Sequence, residues 1–499
     1  MAQLGVKSKK RYKSNLLRVF KKITRILLIG STLQTLLISS GHAASFLVST
    51  GSDDGIGIGC ELREAVEAIN NRLPSSNCPF VVNSTFGDND SIVIPPVVDT
   101  ITLNDGPIFI ETDMRIVKVG SNKTTIRRRG DLAFDSFNDS LIRISAGGHE
   151  VELEGLRFYG GELNSSARGA SIRIQGATLT VRDSEIINGH AGSDGGGMYV
   201  DNAVVTIENT VLSGNSMNSG DGGGIFAFNN STLTLNNSRV LNNIAGAGGG
   251  IYIDTGSVGF INDTTIEGNI ATRSCGGICV SASSVLTVNR SLVHNNEAAN
   301  SGGLGIFQRS RVSLLNSTVT ANTSNGFGGG IQSTDGLVEI VNSTLTDNYG
   351  VTGAGYYASG TIDTLKLDNS IIANSRGSTD CQISSGLVVG INAGRNNIIE
   401  DGSCDTAALS VDPQLEPLDD NGGPTYTHAL KDTSPAISAG DNVICETSLI
   451  DSIDQRGEPR ANPDDTICDL GAYESPEGRA DTSFFVIPAK NGKTIVVEL

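Results

Sequence analysis

Two carboxylates open the search for chemistry. Asp194 and Asp221 each stand immediately before a Gly-Gly-Gly run, in two successive Gly clusters. If the step between those clusters is one repeat, the side chains stack about 5 Å apart and repel unless a cation screens or bridges them. Calcium is therefore the one cofactor the sequence suggests. The alternative is a pair of solvated loop residues, because later repeats put Ala247, Ser274 and Asn300 in the same column. Asp201 and Asp254 share another column, which Phe228 interrupts. Acid–base work on a polysaccharide needs clustered carboxylates beside a His, Lys or Arg that can move a proton. His149, His190, His294 and His428 fall in no common register, and Lys is absent from 124 to 365. With no triad, metal motif or phosphate loop in the sequence, no catalytic residue is assigned.

Aromatic and cysteine side chains supply the other chemistry. Tyr199, Phe226 and Tyr252 recur at the repeat interval, in a column continued by Cys279, Gly305, Gln332 and Tyr357. Alternation points this column outward, where a strip of rings about 5 Å apart could stack on a sugar chain, or simply on itself under a loop. The eight cysteines fall in four neighbouring pairs: Cys60 with Cys78, Cys275 with Cys279, Cys381 with Cys404, and Cys445 with Cys468. An even count in an exported chain reads as disulfides, with neighbour pairing inferred from proximity. The Cys275 and Cys279 pair is the doubtful one, since four extended residues span about 13 Å and only a bend at Gly276 and Gly277 could close it.

The elements that must position these groups repeat along the chain. Gly clusters begin at 195, 222, 248, 275, 301, 328 and 353, and each opens a short alternating apolar segment such as GGGMYVD or GGGIYID. A second column ends in Asn215, Asn243, Asn269, Asn296, Asn322 and Asn348, and a third alternating segment lies between the two. Three short strands per repeat of about 26–27 residues cannot bury a face alone. They must stack, which gives an all-β, right-handed parallel β-helix. DTITLND, PIFIETD, LIRISAG and VELEGLRF read as degenerate coils upstream, so ten or eleven coils run over residues 99–380, a rod of about 50 Å. The Asn column has a structural role: Asn tolerates left-handed turns, and its amide can bond the identical amide one coil away. Composition agrees, with 61 Gly in 499 residues, 18% charged residues and no Trp. A helical enzyme is disfavoured.

The repeat resembles that of the polymorphic outer membrane proteins, over residues 170 to 375, which pairs a Gly-Gly-small-aliphatic box with a box ending in Asn. Here Gly replaces the usual small residue in the third position. The flanks read as covers for the open ends of the coil, residues 44–98 and 381–499. Cys60-Glu61-Leu62-Arg63-Glu64-Ala65 starts the one strongly helical stretch, with Leu62, Val66, Ile69 and Leu73 on one face. It resembles the CSLREA motif of exported bacterial β-helix proteins, with Glu61 in place of Ser. Three ordered segments, Asp412 to Asn442, DQRGEPR from Asp454 to Arg460 and CDLGAYE from Cys468 to Glu474, are similar to the choice-of-anchor Q domain. Asn491-Gly492 marks a hairpin turn in the remaining tail. The resemblances imply a surface or secreted protein.

Residues 1–43 carry nine Lys or Arg and no acid, then an apolar stretch from Ile26 to Ile38 and Gly41-His42-Ala43. This reads as a signal peptide cleaved to leave Ala44 first. Its removal leaves 27 basic residues against 54 acidic ones. So acidic a surface repels nucleic acid and anionic lipid and suits cations or neutral polymers, and no integral membrane anchor is read in the mature chain. The expected function is that of an exported, adhesin-like binding protein whose partner is a polysaccharide or a host-surface ligand. A polysaccharide lyase or glycosidase and a structural matrix protein are the rivals.

Overall fold

The computed structural model describes residues 43–476 apart from 56–58, 82–84, 130–138, 162, 164–166, 218, 385–390, 394–395, 405–407 and 461–466, together with 485–488 and 494–497. Apart from Ala43, the stretch read as a signal peptide lies outside the described residues, as does the expected Asn491-Gly492 turn. The tail strands Phe485–Pro488 and Thr494–Val497 pair antiparallel.

The chain winds as a right-handed parallel β-helix. Among the described residues, sheet I has thirteen strands, from Ser45–Leu47 to Ile391–Ala393; sheet II has eleven, from Ile108–Ile110 to Cys381–Ile383; sheet III has twelve, from Thr100–Leu103 to Ile398–Ile399. A fourth sheet of seven strands, His190–Ala191 to Tyr349–Thr352, follows the Asn column in the central coils. The three-strand expectation missed it because its strands, IATRS and TSNGF among them, do not alternate apolar and polar residues. Ser45–Leu47, Ser91–Ile94 and Cys381–Ile383 also belong to the long sheets, so coils extend into both flanks.

Inward positions form continuous ladders. Val181, Ile207, Leu235, Ile261, Val288, Leu314, Ile340 and Leu367 are in register along sheet I, and all are buried. Each Gly box has a steric reason. Its first residue is left-handed, φ 73° at Gly222, and a Cβ on the second, Gly223, would lie 2.3 Å from the carbonyl oxygen of Gly249 one coil on.

The Asn column is a ladder of buried amides. Asn269 Nδ2 donates to Asn296 Oδ1 (2.9 Å) and to the Val240 carbonyl (3.0 Å), while its Oδ1 accepts from Asn243 N–H (3.0 Å) and Nδ2 (2.9 Å). Asn215, Asn322 and Asn348 continue the pattern. The left-handed conformation belongs to the preceding residue instead: Gly214, Asn242, Gly268, Asn295, Ala321 and Asp347. Side-chain capacity and backbone permissiveness are thus divided between neighbours. Ser/Thr hydroxyls build a parallel ladder at the preceding corner, between sheets I and III, with Thr210, Ser238, Thr264 and Ser291 each accepting from the N–H one coil before.

All four neighbouring cysteine pairs are disulfides. The doubtful pair closes because Cys275 is itself left-handed (φ 61°), which brings its Cα within 5.3 Å of that of Cys279. Helix α1, Leu62–Asn70, covers the first coil. Glu61 forms a capping box with Glu64, and Arg63 grips Asp53 and the carbonyls of Gly106 and Pro107. Leu73 is 70% exposed, because the helix ends at Asn70 and Arg72 turns left-handed.

The C-terminal module is not an end cap. Residues from Asp412 lie along the side of the rod, over sheet III and the turn that enters it. His428 meets Thr320, Gln455 meets Thr318, the Ala472 amide meets Thr344, and Asn369 meets Asp441 and Gly471. The three sequence boxes converge there. Arg460, fully buried, donates to Asn316 Oδ1 (3.0 Å), the Gly471 carbonyl (2.7 Å) and Glu474 (3.2 Å), and Arg456 lies 3.8 Å from the Tyr473 ring centre while pairing with Asp454. Leu315, Val341 and Ile371 are buried beneath this clasp.

Candidate functional site

The aromatic column stacks, with ring centres 5.7 Å apart for Tyr199 and Phe226 and 5.5 Å for Phe226 and Tyr252. It is not an open strip. Tyr199 is 2% and Phe226 7% exposed. Arg168 sits over the Tyr199 ring and donates to its hydroxyl (2.9 Å). Burial pushes the Tyr252 hydroxyl up to about 12. Tyr199 and Phe226 offer no open face to a sugar and Tyr252 is half-buried, so the three rings do not form the expected open strip: alternation fixes which side of a strand a residue takes, not whether another layer covers that side.

Asp194 and Asp221 do stand one coil apart, but arginines meet them. Arg168 Nε lies 3.0 Å from Asp194, and Arg273 pairs with Asp221. The carboxylates also accept main-chain N–H groups from the following coil, Asp221 N–H on Asp194 (3.3 Å) and Ala247 N–H on Asp221 (3.1 Å). Burial raises the Asp221 carboxyl above the usual range. No group of three metal-ligating side chains occurs among the described residues. Guanidinium groups meet both carboxylates in this arrangement.

The outer face of sheet I carries a groove and exposed side chains among the described residues. A groove of about 540 Å³ crosses its first five rungs, from Ser45–Leu47 to Thr178–Arg182. Parallel register aligns Arg115, Glu152 and Thr180, and beside them Glu154, Arg182 and Glu208. Arg115 bonds Glu152 (2.9 Å) and Glu154 (2.5 Å), and Arg182 bonds Glu152 and Glu208 (2.7 Å). Hydrogen bonding to Glu208 raises Arg182 above the ordinary guanidinium range. Sequence reading missed this carboxylate cluster because its members come from irregular coils of unequal length. Strand alignment was the signal that could have found it.

Beyond the groove the same face loses its charge. Thr206, Thr234, Phe260, Thr287 and Ser313 form one column, and Asn236, Asn262 and Asn289 the next. The rungs Thr232–Asn236, Val258–Asn262 and Val285–Asn289 carry no ionisable residue. Phe260 is 41% exposed amid the half-buried hydroxyls, and Asn262 donates to Asn236 (3.0 Å). Charge returns at exposed Arg311, on the rung that carries Ser313, and then at Glu339 and Asp368, both of which pair with Lys366. Hydrogen bonding to Glu339 raises Lys366, so it is held protonated rather than offered as a base.

The family of right-handed β-helix regions matches residues 140–323. No curated protein matches the sequence. Among solved structures, the periplasmic alginate epimerase AlgG is 15% identical, covering 69% of this chain and 83% of that one, with a TM-score of 0.46. Pectate lyase Pel9A is 13% identical over 88% of this chain and 98% of its own (TM-score 0.45). DFA-IIIase from Arthrobacter chlorophenolicus A6 is 13% identical over 72% and 93% (TM-score 0.44). These are likenesses of fold and carry nothing about what this chain binds.

Proposed function

We propose that this is an exported β-helix protein that binds an extended, uncharged polysaccharide along the outer face of sheet I. The observation that carries the reading is the uncharged Thr/Asn track with exposed Phe260, which leads from the groove at the rung spacing of about 4.8 Å. Hydroxyls and amides at that spacing can exchange hydrogen bonds with sugar hydroxyls, and Phe260 offers an apolar face to a ring. The formal charge of −18 and the closed ion pairs of the groove disfavour an anionic polymer. Four disulfides support an oxidising compartment, secreted or on the cell surface.

The test is a glycan array followed by titration of any neutral glycan retained. Phe260→Ser should weaken binding about tenfold, the loss of roughly one stacking contact of about 1.4 kcal/mol, and leave the Tm nearly unchanged. Binding that survives in Phe260→Ser, or retention of acidic glycans alone, overturns the reading. The carboxylates Glu152, Glu154 and Glu208 across three rungs favour a second reading, a polysaccharide lyase or glycosidase. A reducing-sugar release assay on the retained glycan separates the two.

A further inference from the structure

The chain enters the fold through a buried position. Ala44 is completely buried at the start of the first rung of sheet I, and its carbonyl accepts from Ser91 N–H (2.8 Å). Its own nitrogen lies 2.7 Å from Asp90 Oδ1. Asp90 is only 2% exposed, and the same oxygen accepts from Gly87 N–H (3.0 Å). The charged groups that face this carboxylate are Arg72, which favours its ionised form, and Asp88, which opposes it. Burial is the largest influence and raises Asp90 above the usual carboxylate range. A buried carboxylate answered mainly by amide N–H groups is costly, and a cation placed against it relieves that cost.

We propose that cleavage between Ala43 and Ala44 matures the fold, because the new α-ammonium group of Ala44 forms a buried ion pair with Asp90 and locks the first coil. The inference rests on reading residues 1–43 as a leader. An endopeptidase that accepts small residues supplies the step: water adds across the Ala43–Ala44 amide, Ala43 leaves with a carboxylate, and the freed amine of Ala44 takes up a proton. The amide donor beside Asp90 becomes a full positive charge at the same place. Before cleavage the first rung holds a buried carboxylate answered mainly by amide N–H groups, which keeps the precursor looser at this end of the coil. After cleavage the ion pair sits beside the Ser45–Leu47 and Ser91–Ile94 pairing and below helix α1, where it fixes the cap. Leader removal is thereby coupled to stability, with no residue beyond Ala44 and Asp90 required.

The sign of the pH dependence follows. An amino terminus has an ordinary pKa of about 7.7–8.0, and pairing raises it in the folded state. The stabilisation is therefore fully present below about pH 7.7 and is lost as pH rises through the folded value.

The experiment compares the full precursor with the chain beginning at Ala44, each with and without Asp90→Asn, by urea unfolding at pH 7 and pH 10.5. The processed protein should have an unfolding constant at least tenfold smaller than the precursor at pH 7. The difference should shrink at pH 10.5 and vanish in Asp90→Asn. Titration of the 15N-labelled Ala44 amine should give a pKa above the ordinary range, a readout that does not require the variant to fold. Equal unfolding constants, a difference that persists in Asp90→Asn, or an amine that titrates normally would overturn the proposal. Mass spectrometry of exported protein tests the leader separately: an uncleaved chain refutes the leader reading, whereas a mature protein starting elsewhere refutes the Ala44 ion pair alone.

Discussion

Replacing Asn269 by Ala tests the physical basis of the coil most directly. The amide of Asn269 takes part in four hydrogen bonds inside the rod, two donated to Asn296 and Val240 and two accepted from Asn243. The substitution leaves the Asn243 N–H and one of its amide hydrogens without a partner. It also strips one donor from Asn296 Oδ1, which keeps the Asn269 N–H (3.0 Å), and one from the Val240 carbonyl. Two orphaned buried donors at about 1–3 kcal/mol each, with smaller losses at the acceptors, give about 3–6 kcal/mol. That is a large share of a domain stability of about 5–15 kcal/mol. The control is Asn237→Ala, where the side chain is exposed, the residue is left-handed (φ 47°) and the amide bonds only Asn209. There the cost is the left-handed Cβ, about 1–2 kcal/mol. Urea unfolding of both variants, with amide exchange at Asn243, provides the measurement. A loss at Asn269 below about 1 kcal/mol, or no larger than at Asn237, would mean that the ladder is a by-product of stacking and not a cause of it.

Whole-coil deletion should depend on where the clasp lies. Removing Gly248–Ser274 takes out one coil away from most of the clasp and should leave a folded, shorter rod, whereas removing 316–341 breaks the spacing of Asn316, Asn342 and Asn369 and should release the module, read as new protease cleavage after Asp412. Arg460→Leu strands the buried Glu474 carboxylate beside Asp454 and Asp469 and should cost about 3–5 kcal/mol, seen as early loss of the module in urea. Acid should loosen the module where His428 meets Thr320: burial lowers both His294 and His428, so their contribution is complete above about pH 6.5 and is lost as pH falls below it, and His428→Gln should flatten the fall in Tm between pH 7 and pH 5.

The sequence by itself determined the winding. The regular interval between Gly clusters, the alternation within each strand and the Gly and Asn columns are local, repeated signals, and stacking follows from them because so short a strand has no other way to bury a face. The disulfide partners were legible for the same reason, since each pair is close in sequence. Tertiary structure alone decided the site. Tyr199 and Phe260 are both aromatic and both outward on their strands, yet Tyr199 is 2% exposed with Arg168 of the preceding coil laid over it, and Phe260 is 41% exposed. Asp194 and Asp221 acquire Arg168 and Arg273 from outside their own coils, and Arg115, Glu152 and Arg182 become neighbours only once the irregular coils are in register. The clasp runs along the rod instead of over its end, because Arg460 and Gln455 find partners at Asn316 and Thr318, far back along the chain. A period fixes which residues stack upon one another. Which faces then meet water depends on contacts between segments with no common period, and those are written in no local pattern.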